Sequence, residues 1–152
     1  MTAWTALHLA AQYGHTKVVN ILLEKGASID ARDYSNQTVL HRAARYGSLE
    51  AVKMLLDRGA SVDAASGHDL DGFTALHFSA RAGHLEVVEM LLGKGANISQ
   101  KTNSGKTALE IAHDVGIVKL LTAKGKHARF AEPYVIGSRE PRAATFAGDT
   151  LT

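Results

Sequence analysis

The chain of 152 residues contains no cysteine, so it has neither a disulfide framework nor a thiol nucleophile. Proline is almost as scarce, with only Pro133 and Pro141, both near the C-terminus. No apolar run approaches the ~20 residues needed to span a bilayer. Nor does charge of either sign dominate: 17 basic and 15 acidic residues leave a formal charge of +2, too weak a field to select nucleic acid or an anionic membrane. No charged-then-apolar leader follows Met1, and a cytoplasmic or nuclear home is the expectation.

What the chain has in abundance is self-similarity. Thr5-Ala6-Leu7-His8, Thr38-Val39-Leu40-His41, Thr74-Ala75-Leu76-His77 and Thr107-Ala108-Leu109-Glu110 recur at spacings of 33, 36 and 33 residues. A repeat array follows. Nine residues after each Thr stands a glycine (Gly14, Gly47, Gly83, Gly116), then an aliphatic run, then a closing glycine (Gly26, Gly59, Gly95, Gly125). Threonine caps a helix start by accepting a bond from an unpaired first-turn amide, and glycine suits the left-handed position past a helix end. Each unit therefore reads helix, tight turn, helix, turn. Runs such as Val18, Val19, Ile21, Leu22 and Leu23 can bury themselves only by stacking on neighbouring units.

The unit length, the Thr-x-Leu-His phrase, the pairs Gly14-His15 and Gly83-His84, and the closing Gly26-Ala27, Gly59-Ala60 and Gly95-Ala96 resemble the ankyrin repeat family. The resemblance covers residues 3–125. It departs from the family pattern in having Ala or Val where Pro is usual, three extra residues between the second and third units, and a short fourth unit. It implies an all-α solenoid of stacked helix-turn-helix units with projecting β-turn fingers. The expected organisation is an array over 1–125, with repeats at about 1–33, 34–66, 70–102 and 103–125, and an irregular tail over 126–152.

The two ends differ. Leu7, Ala10, Val18 and Ile21 look like ordinary stacking residues in the first unit, which suggests a longer parent array; otherwise Trp4 folds over the open end. In the fourth unit, three residues are missing after Gly116, predicting a second helix of only 117–123, and Glu110 forms a capping box with Thr107. His113 stands where Ala11, Ala44 and Ala80 stand elsewhere, so the array is read as ending there. In the tail, Phe130, Tyr134, Val135 and Ile136 are candidates for an irregular cap over Ile111, Val115 and Leu120, against a disordered tail. Arg142 to Thr145 forms a possible phosphorylation pattern.

Repeat interiors are committed to stacking, so function has to come from surfaces. The resemblance implies that binding uses the finger turns and the inner face of the first helices. Carried over by position, the fingers are Tyr34, Ser35 and Gln37; Leu70, Asp71 and Phe73; and Asn103, Ser104 and Lys106. The helix ends are Gln12 and Tyr13, Arg45 and Tyr46, Arg81 and Ala82, and Asp114. Trp4, Tyr13, Tyr34, Tyr46 and Phe73, with Arg42, Arg45 and Arg81, are of the types that carry much of the binding energy at protein interfaces. A four-unit face can supply the ~800 Å² per partner of a standard interface. The reading is a monomeric, non-catalytic protein-binding module, an adaptor or scaffold. A structural spacer, or an inhibitor of an enzyme such as a kinase, are its alternatives. The three-residue enlargement around Ser66-Gly67-His68 lengthens one finger and is either a binding feature or a neutral insertion.

Enzyme chemistry finds no support in the motifs. His8, His41 and His77 are equivalent positions, separated by one helix-packing distance of roughly 8–10 Å, whereas zinc ligands converge within ~2.1 Å of one ion. A structural role follows, each ring bonding its N-cap Thr or the adjacent turn. Ser104-Gly105-Lys106-Thr107 imitates a phosphate loop, but position 100 is Gln where that motif needs Gly; instead Asn36, Gly72 and Gly105 mark a demand for positive φ. No nucleophile is paired with a base. No cofactor, metal or small-molecule substrate is expected.

Overall fold

Each recurrent threonine starts a helix, and it does so through a reciprocal pair of bonds. The hydroxyl of Thr38 accepts from the His41 amide at 3.2 Å, while the Thr38 amide donates to His41 Nδ1 at 2.8 Å. Thr5 with His8 and Thr74 with His77 repeat the arrangement, and Thr107 with Glu110 forms the expected capping box. The resulting architecture is seen in a computed structural model that describes residues 5–131, with side chains as far as 126. Trp4, the proposed cap of Phe130, Tyr134, Val135 and Ile136, and the Arg142 to Thr145 pattern lie outside what is described.

The helices come in pairs: α1 (Ala6–Gln12) and α2 (Thr16–Glu24), α3 (Val39–Arg45) and α4 (Leu49–Asp57), α5 (Ala75–Ala82) and α6 (Leu85–Gly93), α7 (Ala108–Ile111) and α8 (Val115–Ala131). The chain divides into two compact units, 1–121 and 122–152. Within the first, α1 packs on α3, α3 on α5 and α5 on α7 as an inner row, while α2, α4 and α6 form an outer row. Leu7, Leu40 and Leu76 from the phrases, with Val19, Val52 and Val88 from the outer helices, lie in one buried core. Of the second unit, residues 122–131 continue α8. No described helix is long and apolar enough to cross a membrane.

The histidines of the phrases join one unit to the next. His8 Nε2 lies 3.2 Å from the Gln37 carbonyl, His41 Nε2 2.7 Å from that of Ala64, and His77 Nε2 3.1 and 3.2 Å from those of Gln100 and Lys106. A carbonyl only accepts, so Nε2 carries the proton; Nδ1, facing a threonine amide, is the acceptor. All three rings are thereby held neutral.

Three expectations about the fourth unit need correction. The shortening lies in the first helix rather than the second: α7 has 4 residues against 8 in α5. The lost turn is replaced by Asp114, whose Oδ1 accepts from the Ile117 amide at 3.0 Å and so caps α8. The second helix, predicted over 117–123, has 17 residues from Val115 to Ala131 and passes through Gly125. Neither Gly116 nor Gly125 takes a positive φ, so they do not punctuate as Gly47 and Gly59 do, and 126–131 are helical rather than irregular. His113, exposed in the link between α7 and α8, does not enter the stack.

At the other end, Val18 is 45% and Ile21 53% exposed, whereas Ala51 and Val87, the counterparts of Val18, are fully covered by the preceding unit. Leu7 and Ala10 are buried.

One glycine is required twice over. Gly47 follows α3 at φ +74°, and a Cβ there would lie 2.8 Å from ring atoms of His84, whose Nε2 bonds the Arg45 carbonyl at 3.1 Å. Gly59, at φ +92°, has open space around it. Gly59→Ala is expected to cost the left-handed penalty of about 1–2 kcal/mol, and Gly47→Ala more, since the ring must also move. Urea midpoints of the two variants test this; equal midpoints would show that the ring yields freely.

Candidate functional site

Three fingers precede the second, third and fourth phrases, each closed by a backbone bond. The amide of Asp33 donates to the Gln37 carbonyl at 2.9 Å, that of Ser66 to Phe73 at 2.8 Å, and that of Thr102 to Lys106 at 2.8 Å. Asn36, Gly72 and Gly105 take φ of 57°, 66° and 81°, as their turn positions predicted. The three extra residues fall inside the second finger, where they form a 3-10 turn over His68–Leu70 that ends in Asp71 at φ 56°.

Neighbouring fingers are tied through the main chain. Gly67 N donates to the Ser35 carbonyl and Asn103 N to the Asp71 carbonyl, both at 2.8 Å. The Arg32 guanidinium adds a clamp, reaching the carbonyls of Asn36 and Ala65 at 2.8 Å each.

Beneath the first finger lies a polar knot that the motifs did not reveal. The buried Asp33 carboxylate accepts from the amides of Ser35 and Gln37 at 3.0 and 2.9 Å, from Gln37 Nε2 at 3.1 Å, and from Arg42 Nε at 3.0 Å. Arg42 Nη2 pairs with the same carboxylate at 3.0 Å, and Nη1 reaches Gln12 Oε1 at 3.1 Å in the preceding unit. The signal was present as an Asp five residues before a phrase Thr and an Arg four after it. Arg42, expected to face a partner, thus ties the first two units together.

Beneath the second finger lies an apolar counterpart. Phe73, Phe78 and Ile111 form a buried cluster with Leu70 packed against it, and the Phe73 and Phe78 ring centroids are 5.1 Å apart. Phe73, expected to project, is therefore 6% exposed, because the inserted turn folds it inward; Gln37 is likewise buried at 2% by its bond to Asp33.

The remaining candidates sort by exposure. Tyr34 at the first fingertip is 77% exposed, and Tyr13 and Tyr46, which follow α1 and α3, are 63% and 47% exposed. Arg45 lies with its guanidinium 5.7 Å from the Phe78 ring centroid and 6.0 Å from that of Tyr46; Arg81 lies 5.3 Å from that of Phe73. Lys106 is exposed on the third finger, and Asp114 caps α8. Leu70 and Asp71 are half-buried. Desolvation opposes ionisation of Asp71, but hydrogen bonds from Ser104 and Thr102 outweigh it and hold the carboxyl below the usual carboxylate range.

The histidines are perturbed in one direction. Burial pushes His41 down from 6.5 to about 4, against the opposing bond to the Ala64 carbonyl, and lowers His8 and His77 for the same reason. These groups are committed to neutral structural bonds. Among the described residues, no three His, Asp or Glu side chains converge as a metal site.

Comparison with known families agrees with this geometry. A family model described as ankyrin repeats (3 copies) matches residues 2–66, and another described as ankyrin repeats (many copies) matches residues 64–112. No curated protein gives a match.

Proposed function

This chain belongs to the ankyrin-repeat family, whose repeats generally mediate protein–protein interaction, and from that premise we propose that it is an adaptor module gripping a partner through its inner-helix ends and finger turns. The observation that carries the reading is the row of Tyr13, Arg45 with Tyr46, and Arg81 at successive inner-helix ends, flanked by Tyr34 on a finger. Large rings and guanidiniums left at the surface bury much area at modest entropic cost when a partner covers them. The backbone bonds between fingers support the same reading, because a fixed platform loses little freedom on binding.

Affinity capture with the full chain tests it. Arg45→Glu combined with Tyr46→Ala is expected to abolish retention of captured partners while costing only about 1 kcal/mol of stability, since these side chains are partly exposed. Undiminished capture by the double variant would move the binding surface elsewhere. A spacer predicts the opposite pattern, with capture unaffected and melting alone changed.

A further inference from the structure

Among the arginines with described side chains, most have a polar partner. Arg32 bonds two carbonyls, Arg42 the Asp33 carboxylate, and Arg58 the Asn20 side chain. Arg45 and Arg81 differ. Within the described residues neither has an ion-pair or hydrogen-bond partner, and each is laid against aromatic rings instead. Stacking fixes the plane of a guanidinium while leaving its N–H edges free, which prepares it for bidentate contact with a planar carboxylate.

The two are register equivalents, each seven residues after its phrase Thr (Thr38, Thr74). The corresponding residue of the first unit is Gln12, buried and bonded to Arg42, and the shortened α7 removes the corresponding turn from the fourth. The charge is therefore confined to two adjacent units. Directly packed inner helices lie about 8–10 Å apart, close to the span of three residues of extended chain at about 3.3 Å each.

We propose that Arg45 and Arg81, with the Tyr46 ring beside them, form a paired receptor for an extended acidic peptide bearing carboxylates three residues apart. This rests on the protein-binding reading and names the partner's chemistry. The nearby carboxylates of Asp69 and Asp71 make no ion pair with either arginine among the described residues, and they repel an acidic ligand from the second fingertip, directing it to the helix ends. A nucleic acid is disfavoured, since two fixed guanidiniums on a chain of charge +2 give no basic track for a polyphosphate.

The test measures fluorescence anisotropy with the full chain and three probes: a labelled dodecapeptide pool with Glu at every third position and other positions random but free of Lys and Arg, the same pool with Gln for Glu, and a twelve-nucleotide oligo-dT. The acidic pool is expected to bind at least tenfold more tightly than either other probe, and to weaken as salt rises. Arg45→Gln with Arg81→Gln, which keeps the side-chain length, is expected to lose at least tenfold. Arg45→Lys with Arg81→Lys, which keeps charge but not the planar fork, is expected to fall between. Melting curves verify that both variants remain folded. Binding of the Gln pool or oligo-dT as tight as the acidic pool, no binding of the acidic pool, or full binding by the Gln double variant would overturn the proposal. If the acidic pool fails while a captured partner is still lost from the Arg45→Glu, Tyr46→Ala protein, the protein-binding reading stands without it.

Discussion

Asp33→Ala is expected to lower stability by about 3–5 kcal/mol, more than the loss of any exposed side chain in the molecule. The carboxylate is buried and is the common acceptor for two backbone amides, the Gln37 side chain and two guanidinium nitrogens of Arg42. Truncating it leaves a cation and an amide without their acceptor in a place shielded from water, and the cost of that exceeds the net worth of the bonds themselves. Because Arg42 also holds Gln12, the damage reaches from the first finger into the joint between the first two units. Thermal melting of the full chain reads the effect as a fall of about 10 °C or more. Asp33→Asn, which keeps some acceptor capacity but loses the ion pair, should lie between. A fall of under about 2 °C for the alanine variant would mean that water reaches the knot and replaces the carboxylate.

Acid is expected to act on the same joints through the histidines. His41 titrates near 4 when folded, lowered by burial, and near 6.5 when unfolded. Between those values the unfolded chain binds a proton that the folded chain refuses, so stability is complete above about pH 6.5 and is lost as pH falls toward 4. For His41 alone the loss is on the order of 3 kcal/mol, and His8 and His77 shift in the same direction. The physical cause is legible in the bonds: a second proton on His41 would place an Nδ1–H against the Thr38 amide, which is itself a donor. Urea unfolding between pH 7.5 and 4.5 should show the midpoint falling with pH. In His41→Gln, less stable at neutral pH, the slope should be shallower; an unchanged slope would assign the acid sensitivity to other groups.

Much of the scaffold was legible because it is written in local chemistry. The Thr-x-Leu-His phrase contains its own cap, its core residue and its link to the next unit, and all three are realised at Thr38, Leu40 and His41. The positive φ at Asn36, Gly72 and Gly105 was equally readable, since the demand is local. The fourth unit misled for the opposite reason. Matching Gly116 to Gly14 placed the deletion in the second helix, but Ile117 and Leu121 occupy the buried positions of Val87 and Leu91, which puts it in the first. Gly125 is tolerated inside α8 because a helical glycine costs only about 1 kcal/mol, less than the bonds gained by continuing. Of the candidate surface, the exposure of Tyr13, Tyr34 and Tyr46 followed from position, whereas the burial of Phe73 and the knot around Asp33 depend on how a lengthened turn and a distant arginine fold back, which no single stretch of sequence displays.

The joints between fingers use peptide groups, Gly67 to Ser35 and Asn103 to Asp71, so what stands at the tips takes no part in holding them. Tyr34 and Lys106 are letters on a comb whose spine is indifferent to spelling. Such a molecule can change what it recognises by altering exposed tip letters one at a time, each trial leaving the frame unaltered, and a new preference can therefore arise without first passing through an unfolded ancestor.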